Sequence, residues 1–64
     1  MKIFIEKKNK NLSIKFNGSG FQLLKKLKIN PEEVIIVKND TLITLGDKLA
    51  DRDAVKILSV VSGG

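Results

Sequence analysis

Only one stretch of this chain carries apolar residues at helical spacing. Phe21, Leu23, Leu24 and Leu27 recur at intervals of three and four, while Lys25, Lys26 and Lys28 fall on the other side. In front of them, Ser19-Gly20-Phe21-Gln22 reads as a capping box, with Ser19 at the N-cap and Gln22 three residues on. Pro31 disfavours helix at Asn30, so the helix is expected from about Gly20 to Lys28. Lysines in its last turn suit the negative end of the helix dipole. Such a helix has one apolar stripe that must be covered. The remaining segments alternate with period 2, so the cover must be one face of a sheet.

Met1, Ile3 and Ile5 fall on one face of an opening strand, with Lys2, Phe4 and Glu6 on the other. Lys8-Asn9-Lys10-Asn11 is polar and turn-prone. Leu12, Ile14 and Phe16 then alternate with Ser13 and Lys15, completing a hairpin. After the helix, Val34-Ile35-Ile36-Val37 is apolar on both faces. Asn39-Asp40 turns the chain back into Thr41-Leu42-Ile43-Thr44. Leu45 to Asp53 reads as loop, with Leu49 as a core plug. Val55 to Val61 is the closing strand. The order β-β-α-β-β-loop-β predicts an α+β fold with a sheet of four to five strands packed on one helix. Ile3, Ile5, Ile14, Phe16, Val34, Ile36, Val55 and Ile57 supply the covering face. Phe21, Leu24, Leu27 and Leu49 fill it from the other side.

Residues 1–61 are read as one domain and residues 62–64 as a flexible Ser-Gly-Gly tail. At 64 residues the chain buries only about 60% of its unfolded surface, so the core is marginal. It has no cysteine to staple it and no histidine. A His-dependent catalytic group or zinc site is thereby excluded, and no calcium-loop pattern appears, so no metal is expected. The opening residues lack a signal-peptide pattern, and no apolar run approaches a membrane span. A cytoplasmic protein without membrane contact is the expectation.

The formal charge is +5, from twelve basic residues against seven acidic ones. A solvated lysine surface accounts for this; a footprint for an acidic protein partner or nucleic acid is the functional alternative. Nucleic-acid binders favour arginine forks and stacking aromatics. With one arginine, three phenylalanines, no tyrosine and no tryptophan, the chain argues against nucleic acid.

Alternation leaves a second apolar set pointing away from the helix: Phe4, Ile35, Val37, Leu58 and Val60. They lie on the first, third and last strands, which can sit side by side. A contiguous patch of this kind marks a binding surface. Partner docking is the leading reading, and a homodimer face competes with it.

The chain ends Val61-Ser62-Gly63-Gly64. Two glycines make a thin segment free of the Cβ restriction, suited to entering a narrow active site. Taken with the strand pattern, the whole chain resembles the ubiquitin-like β-grasp proteins, most closely the small sulfur carriers of the ThiS/MoaD type, which implies a β-grasp with a mixed sheet of four to five strands packed on one helix. Met1 to Ile5 is similar to the family's opening strand. Ser19 to Leu27 is similar to its capped helix, with Leu23, Leu24 and Leu27 at the leucine positions. Val34 to Ile43 resembles its third strand, turn and fourth strand. The specific part is Asp53 to Gly64, where an acidic turn, a strand and a terminal Gly-Gly arrive in register. Two positions depart from the pattern. Gly20 stands where the family usually has an aliphatic residue, and Phe21 is expected to fill the gap. Asp51-Arg52-Asp53 stands where Asp-Gly-Asp is common, so Arg52 would be strained if that turn requires φ > 0.

The resemblance implies a carrier or substrate, not an enzyme. An ionised α-carboxylate is a poor acyl donor and must be activated. In this family an E1-like adenylyltransferase joins it to AMP, with ATP consumed by that partner and no cofactor bound by the carrier. A sulfur donor then leaves a thiocarboxylate, which serves a sulfur-accepting synthase in thiamine thiazole, molybdopterin or tRNA thiolation chemistry. Gly64 would carry the acyl carbon, and Gly63 would let the backbone pass the constriction. Two alternatives stay open: a protein modifier joined through Gly64 to lysine, and a plain binding module.

Overall fold

The computed structural model describes residues 1–60. Gly63 and Gly64, and the reading of residues 62–64 as a flexible tail, lie outside the described residues. A five-stranded sheet runs β2-β1-β7-β4-β5, where β1 is Lys2–Ile5, β2 Lys10–Ser13, β4 Val34–Lys38, β5 Thr41–Ile43 and β7 Ala54–Ser59. The pair β1–β7 is parallel and the other pairs are antiparallel, so the sheet is mixed. The helix α1, Gly20–Leu27, covers one face. Two further two-residue strands, β3 (Gly18–Ser19) and β6 (Lys48–Leu49), pair with each other beside it. This is a β-grasp, as the resemblance implies.

The helix begins where its sequence says it should. Ser19 Oγ accepts the N–H of Gln22, and Gln22 Oε1 accepts the N–H of Ser19. Both halves of the capping box are therefore present, satisfying donors that the first turn leaves free. The helix stops one residue before the expected limit. Lys28 adopts the left-handed conformation (φ 60°), and its N–H closes the last turn. Pro31 then opens a short 3-10 helix, Pro31–Glu33, capped by Asn30.

Between β4 and β5 only Asn39 and Asp40 intervene, both at positive φ (48° and 68°). Two left-handed central residues define a type I′ turn, whose twist matches the flanking strands. Asparagine and aspartate tolerate that conformation better than other residues with a Cβ. Asn39 also ties this turn to the start of β7. Its backbone N–H donates to Ala54 O at 2.8 Å, and its Oδ1 accepts from Ala54 N at 3.0 Å.

The core comprises Met1, Ile3, Ile5, Leu23, Leu24, Ile36, Leu49, Val55 and Ile57. Ile14, Phe16, Leu27 and Val34 pack partly buried against it. The face assigned from alternation is thus the face under the helix, and Leu49 is the plug. Phe21 is a correction. It is 46% exposed, with its ring under the Lys25 ammonium at 6.0 Å rather than in the core. Leu23 and Leu24 point inward instead, both fully buried.

Gly20 explains the rotation. A Cβ there would lie 2.8 Å from Ile36 Cδ1 and 3.4 Å from Leu45 O. No gap exists for Phe21 to fill, because the backbone itself approaches the sheet at this point. Close approach is what the missing Cβ permits. The N–H groups of Gly20 and Phe21 bond Asp47 O and Leu45 O, clamping the helix start to the loop before β6.

The segment Asp51-Arg52-Asp53 is also relaxed. The non-glycine residues at positive φ among the described residues are Asn9, Lys28, Asn39 and Asp40, so Arg52 is not strained. The Asp53 carboxylate accepts the N–H of Ala50 at 2.7 Å, and Asp53 N donates to Ala50 O at 2.9 Å. That pair closes the turn without glycine. The second strand is shorter than its pattern suggests. Its ladder with β1 ends at Ser13, and Ile14 continues it only against the first residue, its N–H donating to Met1 O and its carbonyl accepting from the Met1 ammonium.

Candidate functional site

Three central strands carry the face turned away from the helix. In the ladder between β1 and β7, Phe4 stands opposite Lys56. Across β7 and β4, Lys56 stands opposite Val37 and Leu58 opposite Ile35. Neighbours in sequence, Ile3, Ile5, Ile36, Val55 and Ile57, are buried under α1. Alternation therefore puts Phe4, Ile35, Val37 and Leu58 together on the open face. Ile35 is 37% exposed, and Phe4, Val37 and Leu58 are half-buried. Val60, next after β7, is exposed at the end where the chain leaves the sheet.

Leu42 belongs to this face and was not assigned to it from sequence. The two-residue turn pairs Lys38 with Thr41, and hence Val37 with Leu42. At 63% it is the most exposed large apolar residue among those described. Counting outward from Asn39-Asp40 would have found it, because a two-residue turn fixes the register of its hairpin.

Lys56 interrupts the patch between Phe4 and Val37. Its ammonium lies 3.8 Å from Asp40 Oδ1, with both side chains well exposed. An exposed pair of this kind contributes little to stability. A hollow of about 340 Å³ opens at this end of the face, lined by Lys2, Phe4, Asn11, Asn39 and Lys56.

At the opposite end β7 gives out at Ser59. Ser59 N donates to Glu6 Oε1 at 3.1 Å, and Val60 N donates to Glu33 O at 3.0 Å. Val60 is the last described residue, and Gly63 and Gly64 follow beyond it.

Two carboxylates titrate below their ordinary range. The Asp51 pKa is lowered by the N–H of Phe16 and then by the N-terminal ammonium, which bond the same oxygen at 3.0 and 3.3 Å. The Asp53 pKa is lowered by the N–H of Ala50 and then by the Asn39 amide. Hydrogen bonds to the charged form cause both shifts. These groups brace the turn before β7, and neither stands beside a nucleophile. Among the described residues no cluster of acids could hold a metal ion, and no helix is long and apolar enough to cross a membrane.

Comparison with known proteins follows the same outline. The model of the ThiS family matches residues 5–64. A curated relative, the sulfur carrier protein TtuB of Thermus thermophilus, is 36% identical over 55 residues, covering 86% of this chain and 85% of that protein. An uncharacterized protein of Archaeoglobus fulgidus is 34% identical over 62 residues, covering 95% and 91%. The solution structure of a thiamine biosynthesis protein from Geobacter metallireducens superposes with a TM-score of 0.61 at 25% identity, covering all of this chain and 88% of that one. The family match includes the closing strand and both terminal glycines. The chain belongs to the ThiS family.

Proposed function

We propose that this protein is a sulfur carrier that works through its Gly64 carboxylate. The observation carrying this reading is the family match that runs through β7 to Gly63 and Gly64. A relative named as a sulfur carrier at 36% identity supports it. An E1-like adenylyltransferase binds the open face of Phe4, Ile35, Val37, Leu58 and Val60. The Gly64 carboxylate attacks the α-phosphorus of ATP, pyrophosphate leaves, and an acyl-adenylate forms. A sulfur nucleophile from the donor then attacks the acyl carbon and AMP departs. With hydrosulfide as that nucleophile the thiocarboxylate forms directly. With a persulfide, a second thiol attacks the donor-side sulfur of the acyl disulfide, is oxidised to a disulfide with the donor, and frees a thiocarboxylate on Gly64, which a synthase accepts.

Every step of this chemistry takes place in a partner's active site. The carrier contributes a docking face, a point of departure and a carboxylate. It binds no cofactor of its own, and the cytoplasm, where ATP is available, is its place of work. The structural relative named for thiamine biosynthesis makes thiazole assembly the first destination to test. Molybdopterin synthesis and tRNA thiolation come next.

The test is direct. The full chain should take up AMP from ATP when incubated with the E1-like enzyme of its host, and the chain lacking Gly64 should not. Protein isolated from the host should include a fraction heavier by the exchange of one oxygen for sulfur. Equal AMP uptake by both chains rejects the reading. Conjugates through Gly64 to lysine, with no thiocarboxylate, would make the protein a modifier instead.

A further inference from the structure

The closing strand has an unusual partner at its last turn. In the sheet, β7 lies between β1 and β4. The ladder with β4 reaches Ser59, opposite Val34. The ladder with β1 stops earlier, at Ile5 opposite Ile57. There the chain leaves the sheet and enters a short 3-10 helix, Glu6–Lys8, ending at Asn9 in the left-handed conformation. The N–H of Ser59 is thus left facing a strand that has turned away. A backbone donor in that position needs another acceptor. Glu6 supplies it through its carboxylate, Oε1 to Ser59 N at 3.1 Å. On the other side, Glu33 O holds Val60 N at 3.0 Å.

We propose that Glu6 is a positioning residue for the end of β7, fixing Ser59 and Val60, the anchor to which the C-terminal residues Val61 to Gly64 are joined. This rests on the sulfur-carrier reading given above. Four residues span at most about 14 Å when extended. A carboxylate that must reach a buried phosphate over so short a distance depends on where its anchor sits. Placement errors of about 1 Å at a reacting group can cost 10²-fold in rate. Glu6 and Ser59 are separated by 53 positions, so the bond joins the β1–β2 connection to the last strand. Neither Glu6 nor Ser59 is among the five residues assigned to the docking face, although Val60, which is, follows Ser59 directly. Loss of the bond should therefore alter the chemical step more than docking.

The experiment compares Glu6→Ala with Glu6→Gln, whose amide oxygen can still accept the bond. Glu32→Ala removes one carboxylate from an exposed position and controls for charge. Amide exchange at Ser59 should quicken about tenfold in Glu6→Ala and stay near wild type in Glu6→Gln. In the adenylation assay with the host E1-like enzyme, Glu6→Ala should lower kcat about fivefold at unchanged KM for the carrier. Glu6→Gln should recover most of that loss, and Glu32→Ala should show none. A merely structural role predicts something else, because a partly unfolded carrier lowers the effective concentration and raises KM. Unchanged kcat in Glu6→Ala overturns the proposal, whether or not Ser59 exchange quickens. A raised KM with unchanged kcat also overturns it. If the wild-type chain takes up no AMP at all, the carrier reading fails and this inference falls with it.

Discussion

Ile35 and Leu58 stand directly opposite each other in the β4–β7 ladder, on the face of the sheet that α1 does not cover. In the next row on the same face Phe4 and Val37 stand on either side of Lys56, and Leu42 extends that row to the sheet edge. Facing pairs of apolar side chains on a solvent-exposed sheet surface invite a partner.

Leu42→Glu and Ile35→Glu should each weaken binding of the host E1-like enzyme by about 30-fold, the equivalent of ~2 kcal/mol at a hot spot. Leu42 is mostly exposed, so its substitution should change stability by no more than about 0.5 kcal/mol. Calorimetric titration and thermal melts separate the two effects. Unchanged affinity in both variants would remove this face from the interaction. If Leu42→Glu instead converts a dimer to a monomer in sedimentation, the face joins two copies of the chain.

Gly20 sits under Ile36, and a single methyl group is enough to disturb it. Gly20→Ala gains up to about 1 kcal/mol in helix propensity. Against this, the new Cβ meets Ile36 Cδ1 at 2.8 Å, and Ile36 is too buried to swing aside. Overpacking of this kind costs about 1–3 kcal/mol, so the melting temperature should fall. Ile36→Val removes the obstructing methyl. In that background Gly20→Ala should be neutral or stabilising, and a double-mutant cycle with no coupling would refute the contact.

The acid limb of stability should trace partly to Asp53. Its pKa is lowered in the folded chain by the N–H of Ala50 and the amide of Asn39. A depressed carboxylate contributes stability above its unfolded pKa, which is lost as pH falls through the folded value. The loss therefore sets in near the ordinary aspartate pKa of 3.8 and is completed below it. Asp53→Asn should lower the urea midpoint at neutral pH and flatten its fall on acidification. An equally steep acid limb in the variant would assign the effect to other groups, Asp51 first.

Removing the helix cap should be felt throughout so small a domain. Ser19→Ala deletes the acceptor of Gln22 N. Caps of this type contribute about 1 kcal/mol, which lowers the melting temperature of a domain this size by roughly 4–8 °C. Ser19→Asp keeps an acceptor and should stay near wild type. A melt of Ser19→Ala superimposable on wild type would show that the Gly20 and Phe21 bonds to the loop carry the helix start alone.

Several features were legible because they depend on neighbours in sequence. The Ser19–Gln22 box and the Asn39-Asp40 turn each occupy a few consecutive residues. Alternation sorted Ile3, Ile5, Ile36, Val55 and Ile57 from Phe4, Ile35, Val37 and Leu58, because successive side chains of a strand must point oppositely. Phe21 was misplaced since helical spacing admits several rotations of one stripe. Gly20 chose among them through a contact with Ile36, sixteen positions away. Strands β3 and β6 went unread because two residues carry no periodicity.

Sequence pattern settled the single helix, the segments that form the long strands and the two faces of the sheet. All of these follow from backbone geometry over short spans. Folding in three dimensions decided that β7 lies parallel to β1, that Leu42 joins Val37 on the open face, and that Glu6 reaches Ser59 across the molecule. Such pairings join positions far apart along the chain. Closing the loop between them costs entropy that only the assembled core can offset. No local pattern records which distant partner wins that competition.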